Sequence, residues 1–95
     1  MKIVVLKFGG TSVGTIKKIK KVAEIISSYK KKYKVIVVSS AMSGVTNKLI
    51  RTSKDISNDF SPSEYDVLVS SGEQLASSLI AARLSHLGVK SRSWL

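Results

Sequence analysis

Two short aliphatic runs, Ile3-Val4-Val5-Leu6 and Val35-Ile36-Val37-Val38, limit the fold most narrowly. Both are rich in β-branched residues and neither alternates with polar ones. That is the pattern of strands buried on both faces of a parallel sheet. Between them, Ile16, Ile19, Val22, Ile26, Tyr29 and Tyr33 recur at steps of three and four. This periodicity predicts a helix over residues 15–32 with one buried stripe and its lysines on the opposite, solvated face. A strand over residues 1–8, that helix and a strand over residues 35–38 form a βαβ crossover, so the two strands are expected to be parallel neighbours. The class is α/β.

Each strand is followed by a turn rich in small residues. The first is Lys7-Phe8-Gly9-Gly10-Thr11-Ser12-Val13-Gly14. Glycines let a backbone approach a ligand closely and take up φ > 0 without a Cβ clash. The amides that open the next helix have no acceptor within it, and the helix dipole there favours negative charge. Lys7 adds a full positive charge at the carboxyl end of the strand, where open α/β sheets place their ligands. The stretch reads as a site for a phosphate or carboxylate, or as a tight βα turn with an incidental lysine. It is neither the G-x-x-x-x-G-K-[ST] nor the G-x-G-x-x-G pattern, so neither a P-loop ATPase nor a Rossmann dehydrogenase is indicated.

The second turn, Ser39-Ser40-Ala41-Met42-Ser43-Gly44-Val45-Thr46-Asn47, carries hydroxyls and precedes a helix with Val45, Leu49, Ile50 and Ile56 on one face, ending near Asn58. Ser43 and Thr46, taken singly, read as helix caps. Adjacent parallel strands deliver their loops side by side, so a ligand on the first turn is expected within reach of the second. Ser61, Pro62 and Glu64 then read as an N-cap, a first-turn proline and a capping box. Ser70-Ser71-Gly72 reads as an interruption. Glu73-Gln74 opens a further helical run with Leu75, Ala76, Leu79, Ile80, Leu84 and Leu87 inward, stopped by Gly88. Residues 89–95 read as a third strand, which suggests an incomplete domain.

Composition excludes several classes. With 95 residues the chain is one domain at most. It has no cysteine and a single histidine, His86, so it offers no disulfide framework and no zinc cluster. No apolar run approaches the roughly 20 residues that span a bilayer, and no secretory leader is evident; a cytoplasmic protein is expected. The net charge of +10 raises nucleic acid as a partner. Half of the basic residues, however, fall in Lys17-Lys18-Lys20-Lys21 and Lys30-Lys31-Lys32-Lys34, on and just past the first helix. Arginine is scarce, and no aromatic platform for stacking bases is present. The lysines read as a solvated helix face rather than a nucleic-acid surface.

Three segments in order, Lys7-Phe8-Gly9-Gly10-Thr11-Ser12-Val13, Ser40-Ala41-Met42-Ser43-Gly44-Val45-Thr46-Asn47 and Ser71-Gly72-Glu73-Gln74, closely resemble the N-terminal part of the aspartokinases. The resemblance covers essentially the whole chain. It implies the amino-acid kinase fold, a three-layer α/β/α sandwich with a mainly parallel sheet, of which residues 1–95 would be an incomplete N-terminal portion without ACT domains. It implies transfer of the γ-phosphate of ATP to the side-chain carboxylate of L-aspartate, the first step toward lysine, threonine and methionine. Lys7 would contact the transferring phosphates, and the backbone of Phe8, Gly9 and Gly10 would line the ATP site. Ser40 and Thr46 would face aspartate, and Glu73 would hold its α-ammonium. Mg²⁺ would arrive on the ATP phosphates, with no protein metal ligands identified. The complete protein would be a homo-oligomer acting on small molecules, without nucleic acid or membrane, and the 95 residues alone would be inactive. The other expectations left open are another amino-acid kinase of the same fold and a basic, non-catalytic polyanion-binding module.

Overall fold

The computed structural model describes residues 1–94. In chain order the elements are strand β1 (Ile3–Phe8), helix α1 (Ile16–Lys30), strand β2 (Lys34–Ser39), helix α2 (Val45–Ile56) and helix α3 (Pro62–His86). The strands are parallel, in a register that sets Ile3 against Lys34 and Phe8 against Ser39. The parallel pair expected from the two aliphatic runs is therefore present.

Helix α1 starts where expected. The Thr15 hydroxyl accepts a hydrogen bond from the Lys18 amide at 3.2 Å, which satisfies one orphan donor of the first turn. Its buried residues are Ile19, Val22, Ala23 and Ile26, while Ile16 and Tyr29 of the expected stripe are exposed and Tyr33 lies beyond the helix, half-buried. Helix α2 stops at Ile56, which is 77% exposed rather than inward.

The largest departure lies in α3. The expected break at Ser70-Ser71-Gly72 is absent, and one helix runs through it. The Ser70 hydroxyl donates to the Val67 carbonyl at 3.1 Å, and Ser71 donates likewise to Leu68. These hydroxyls turn back onto the helix and leave its backbone ladder intact. Gly72, Ala76, Ile80 and Leu84 are buried and form a ridge with a four-residue repeat. Leu75 and Leu87, expected inward, lie off that ridge and are exposed. The expected capping at the start of α3 is present in part, with the Ser61 hydroxyl accepting from the Glu64 amide at 3.3 Å. The helix ends as predicted. Gly88 has φ 82°, its amide donates to Ser85, and the Val89 amide donates to the Leu84 carbonyl at 2.9 Å. That pair of bonds is a Schellman closure.

Residues 89–94 do not form the expected third strand, and Leu95 lies outside the described residues. The segment is held instead by the Schellman closure, by a 3.0 Å bond from the Ser77 hydroxyl to that of Ser93, and by Arg92 lying 5.0 Å from the Trp94 ring centre. A hollow of about 210 Å³ separates it from β2.

The core lies between α1, α3 and one face of the sheet. Val13, Ile19, Val22, Ala23 and Ile26 meet Ala76, Ile80 and Leu84, with Leu6, Phe8, Val35 and Val37 beneath them. The opposite sheet face is uncovered. Ile3 and Val5 are 63% and 61% exposed, and Ile36 and Val38 53% and 48%. The expectation of strands buried on both faces is thus met on one face only, because α1 and α3 pack on the same side and α2 packs on α3. The radius of gyration is 15.1 Å, above the roughly 13 Å of a closed domain this size.

This one-sided packing predicts unequal costs for similar substitutions. Ile26→Ala should destabilise the chain by about 2–4 kcal/mol, since Ile26 is 2% exposed. Ile36→Ala, on the uncovered face, should cost under about 1 kcal/mol. Urea denaturation of the two variants measures the difference; equal losses would contradict the one-sided core.

Candidate functional site

The carboxyl ends of β1 and β2 open into the two turns, and backbone hydrogen bonds join those turns directly. The Ser40 amide donates to the Phe8 carbonyl at 3.0 Å, and the Ser43 amide donates to the Gly10 carbonyl at 3.1 Å. Side-by-side delivery of the loops, expected from the parallel pair, is therefore reinforced by direct bonds between them. Within the first turn the Gly9 carbonyl accepts from Ser12 at 3.0 Å and from Val13 at 3.3 Å. These bonds curl the chain into a tight bend, and Val13 at its end is fully buried.

The glycines of this turn serve closeness rather than an unusual backbone angle. Among the described residues only Gly44 and Gly88 have positive φ, so the expected φ > 0 at Gly9 or Gly10 is not found. A Cβ on Gly10 would lie 3.0 Å from the Ala41 carbonyl oxygen, so only a glycine lets the second turn come this near. A Cβ on Gly9 would meet nothing within 4 Å. Gly9 faces open space.

The second turn departs from expectation at its helix start. Neither Ser43 nor Thr46 caps α2. The N-cap is Gly44, at φ 83°, and no side chain bonds the first-turn amides. Among the described residues, the amides of Gly9, Gly10 and Thr11 in the first turn find no protein acceptor. The same is true of Thr46 and Asn47 at the start of α2. Backbone donors at one end of the sheet, beside a helix N-terminus, are suited to an anion.

The expected site residues distribute as follows. Phe8 closes β1 and packs on the core, whereas Gly9 and Gly10 form the turn itself. Lys7 is exposed on the uncovered sheet face, opposite Val38. Ser40 lies in the joint between the turns and Thr46 in the first turn of α2; both are half-buried. Glu73 is exposed and lies in the interior of α3 rather than at a helix start. It is brought to this end of the molecule through its neighbour. A Cβ on Gly72 would lie 3.0 Å from Val45 Cγ1, 3.2 Å from Ala41 Cβ and 3.3 Å from Leu49 Cδ1.

The two best-formed hollows among the described residues lie elsewhere. The hollow of about 210 Å³ lies between β2 and residues 89–94, and another of about 340 Å³ lies beside Phe8, Thr11, Ser12, Lys18 and Lys21. Neither is lined by Lys7, Ser40, Thr46 or Glu73. With one sheet face uncovered, the side on which Lys7 lies has no wall. Residue patterns alone missed Ala41, Gly44 and Gly72. Gly72 carries a signal, a glycine within a helical run, but beside Ser70 and Ser71 it reads as a break. Among the described residues no cluster of three His, Cys, Asp or Glu side chains could hold a metal ion, and no helix is long and apolar enough to cross a membrane.

The amino acid kinase family model matches residues 2–95. The chain belongs to the amino acid kinase family. Within this family it is 46% identical over 95 residues to aspartate kinase Ask_LysC of Stutzerimonas stutzeri, covering 99% of this chain and 23% of the relative. It is 46% identical to the aspartokinase of Geobacillus stearothermophilus over 94 residues, which is 98% of this chain and 23% of that protein. The aspartokinase of Rickettsia felis is also 46% identical, over 100% of this chain and 25% of its own length. The fold superposes on the crystal structure of aspartate kinase from Synechocystis with a TM-score of 0.84 at 38% identity, covering 92% of this chain and 15% of that one. The chain thus spans about a quarter of the length of the curated amino acid kinase relatives that it matches.

The contact between the turns predicts unequal effects at neighbouring glycines. Gly10→Ala should destabilise the chain by about 1–3 kcal/mol, because the new methyl presses on a backbone carbonyl. Gly9→Ala should stay within about 0.5 kcal/mol, because its methyl enters open space. Thermal unfolding of both variants reads the contrast, and equal midpoints would contradict the close approach.

Proposed function

We propose that this chain forms the phosphate- and aspartate-holding part of an aspartate kinase, which transfers the γ-phosphoryl group of MgATP to the side-chain carboxylate of L-aspartate. The observation that carries this is the pair of bonded turns whose amides at Gly9, Gly10, Thr11, Thr46 and Asn47 lack protein acceptors. The names of the relatives favour aspartate over another acceptor of the same family.

In this reading the amides of Gly9 and Gly10 and the Lys7 ammonium hold the phosphate oxygens. The transition state of phosphoryl transfer is loose, with charge spread over the equatorial oxygens, so fixed positive potential and alignment do most of the work. A carboxylate oxygen of aspartate attacks the γ-phosphorus, a new O–P bond forms, and the bond to the β-phosphate oxygen breaks to leave ADP. The attacking carboxylate is already ionised at neutral pH, so no general base is needed. Ser40 and Thr46 donate to the carboxylates of aspartate, and Glu73 pairs with its α-ammonium. Mg²⁺ travels on the phosphate oxygens of ATP, as is usual for that ion. The homo-oligomer and the cytoplasmic setting implied by the resemblance belong to the same proposal.

The deciding experiment grafts this chain in place of the matching segment of the Geobacillus stearothermophilus aspartokinase. The hybrid should release ADP only when aspartate is present, and Lys7→Ala within it should lower kcat by about 10²-fold or more. The isolated chain should show no turnover. A hybrid that unfolds cooperatively yet shows no aspartate-dependent ADP release would refute the proposal; turnover by the isolated chain would overturn only the expectation that these residues alone are inactive.

A further inference from the structure

We propose that Gly72 is a positioning residue: by letting α3 seat directly on the second turn, it sets where the Glu73 carboxylate meets the substrate amino group. The proposal rests on the reading of Glu73 as the holder of the α-ammonium and adds the element that aims it.

The argument begins with Ala41, which is 7% exposed and lies between two glycines. On one side its carbonyl oxygen would be 3.0 Å from a Cβ on Gly10. On the other, its methyl carbon would be 3.2 Å from a Cβ on Gly72. Gly10, Ala41 and Gly72 therefore form a stack that runs from the first turn, through the second, to the helix that carries Glu73. Real Cβ contacts are seldom this short, and the three side-chain atoms facing Gly72 come from Val45, Ala41 and Leu49 together. An alanine at Gly72 would need these neighbours to give by a few tenths of an ångström, most of all Val45, and a small movement of α3 away from α2 and the second turn relieves all three contacts at once.

Such a shift moves Glu73, the next residue, relative to Thr46, which adjoins Val45 on α2. The phosphate-holding turn is less affected, because its own bonds, Ser12 and Val13 to Gly9 and Ser43 to Gly10, do not involve α3. Displacing a binding group by a fraction of an ångström weakens the contacts it makes while leaving the distant ones intact. The stack therefore separates two properties. Gly10 governs how the turns join, and Gly72 governs how far Glu73 stands from them.

The test uses the hybrid enzyme described above. Gly72→Ala should raise the KM for aspartate about tenfold, with the KM for ATP and kcat changed by no more than about twofold. Adding Val45→Ala, which removes the atom 3.0 Å from the new methyl, should bring the aspartate KM back toward the parent value. Val45→Leu, which crowds Gly72 from the other side, should give the same aspartate-selective rise and serves if Gly72→Ala does not fold. Glu73→Gln is the control. If it leaves the aspartate KM unchanged, the role of Glu73 is wrong. If it raises that KM while Gly72→Ala and Val45→Leu do not, Glu73 stands and the positioning role of Gly72 is overturned. A uniform loss of kcat and of both substrate affinities, without rescue by Val45→Ala, would also overturn it.

Discussion

The structure depends on one backbone contact, the hydrogen bond from the Ser43 amide to the Gly10 carbonyl at 3.1 Å. A parallel strand pair brings two loops to the same edge, but it does not make them touch. Touching requires that one loop lack a side chain where the other's backbone arrives. Gly10 meets that requirement against the Ala41 carbonyl. Once the turns are joined, the amides that lack a protein acceptor among the described residues lie at one end of the sheet. The same joint buries Ala41 and offers α3 a flat seat at Gly72.

Chemistry of this kind asks little of titrating side chains. In the proposed reaction, phosphoryl transfer to a carboxylate needs alignment and positive potential, which backbone amides and one lysine would supply. The relevant features are accordingly backbone features: an uncapped helix start behind Gly44 and a bend closed on the Gly9 carbonyl. The uncovered sheet face belongs to the same account. It carries Ile3, Val5, Ile36 and Val38 with Lys7 at its upper end, and the chain spans about a quarter of the relatives' length.

Much of this was legible in the residues, and what was not has specific causes. The parallel pair, α1 with its Thr15 cap, the Pro62 helix start and the Gly88 stop all follow from local patterns with local physical causes. The aliphatic runs indicated that both strand faces are apolar, but apolarity does not say that the layer covering each face lies within these residues. Ser70-Ser71-Gly72 resembled a break because serine and glycine favour turns. Here the serines bond back to α3 and the glycine is required by packing. Residues 89–94 had strand-like alternation, but strand formation needs a ladder of partners, and their bonds run to α3 instead. Of the expected site residues, Gly9, Gly10, Ser40 and Thr46 lie in or beside the two joined turns, as parallel topology leads one to expect, whereas Lys7 lies on the uncovered sheet face. The approach of Glu73 depended on a contact between distant residues, which no single segment records.

Amide hydrogen exchange tests the joint between the turns most directly. The account predicts that the Ser40 and Ser43 amides, bonded across the turns, exchange far more slowly than those of Gly10 and Thr11, which have no protein acceptor. Exchange of Ser43 at the rate of Thr11 would mean that the turns move independently, and the joint on which the account rests would not exist.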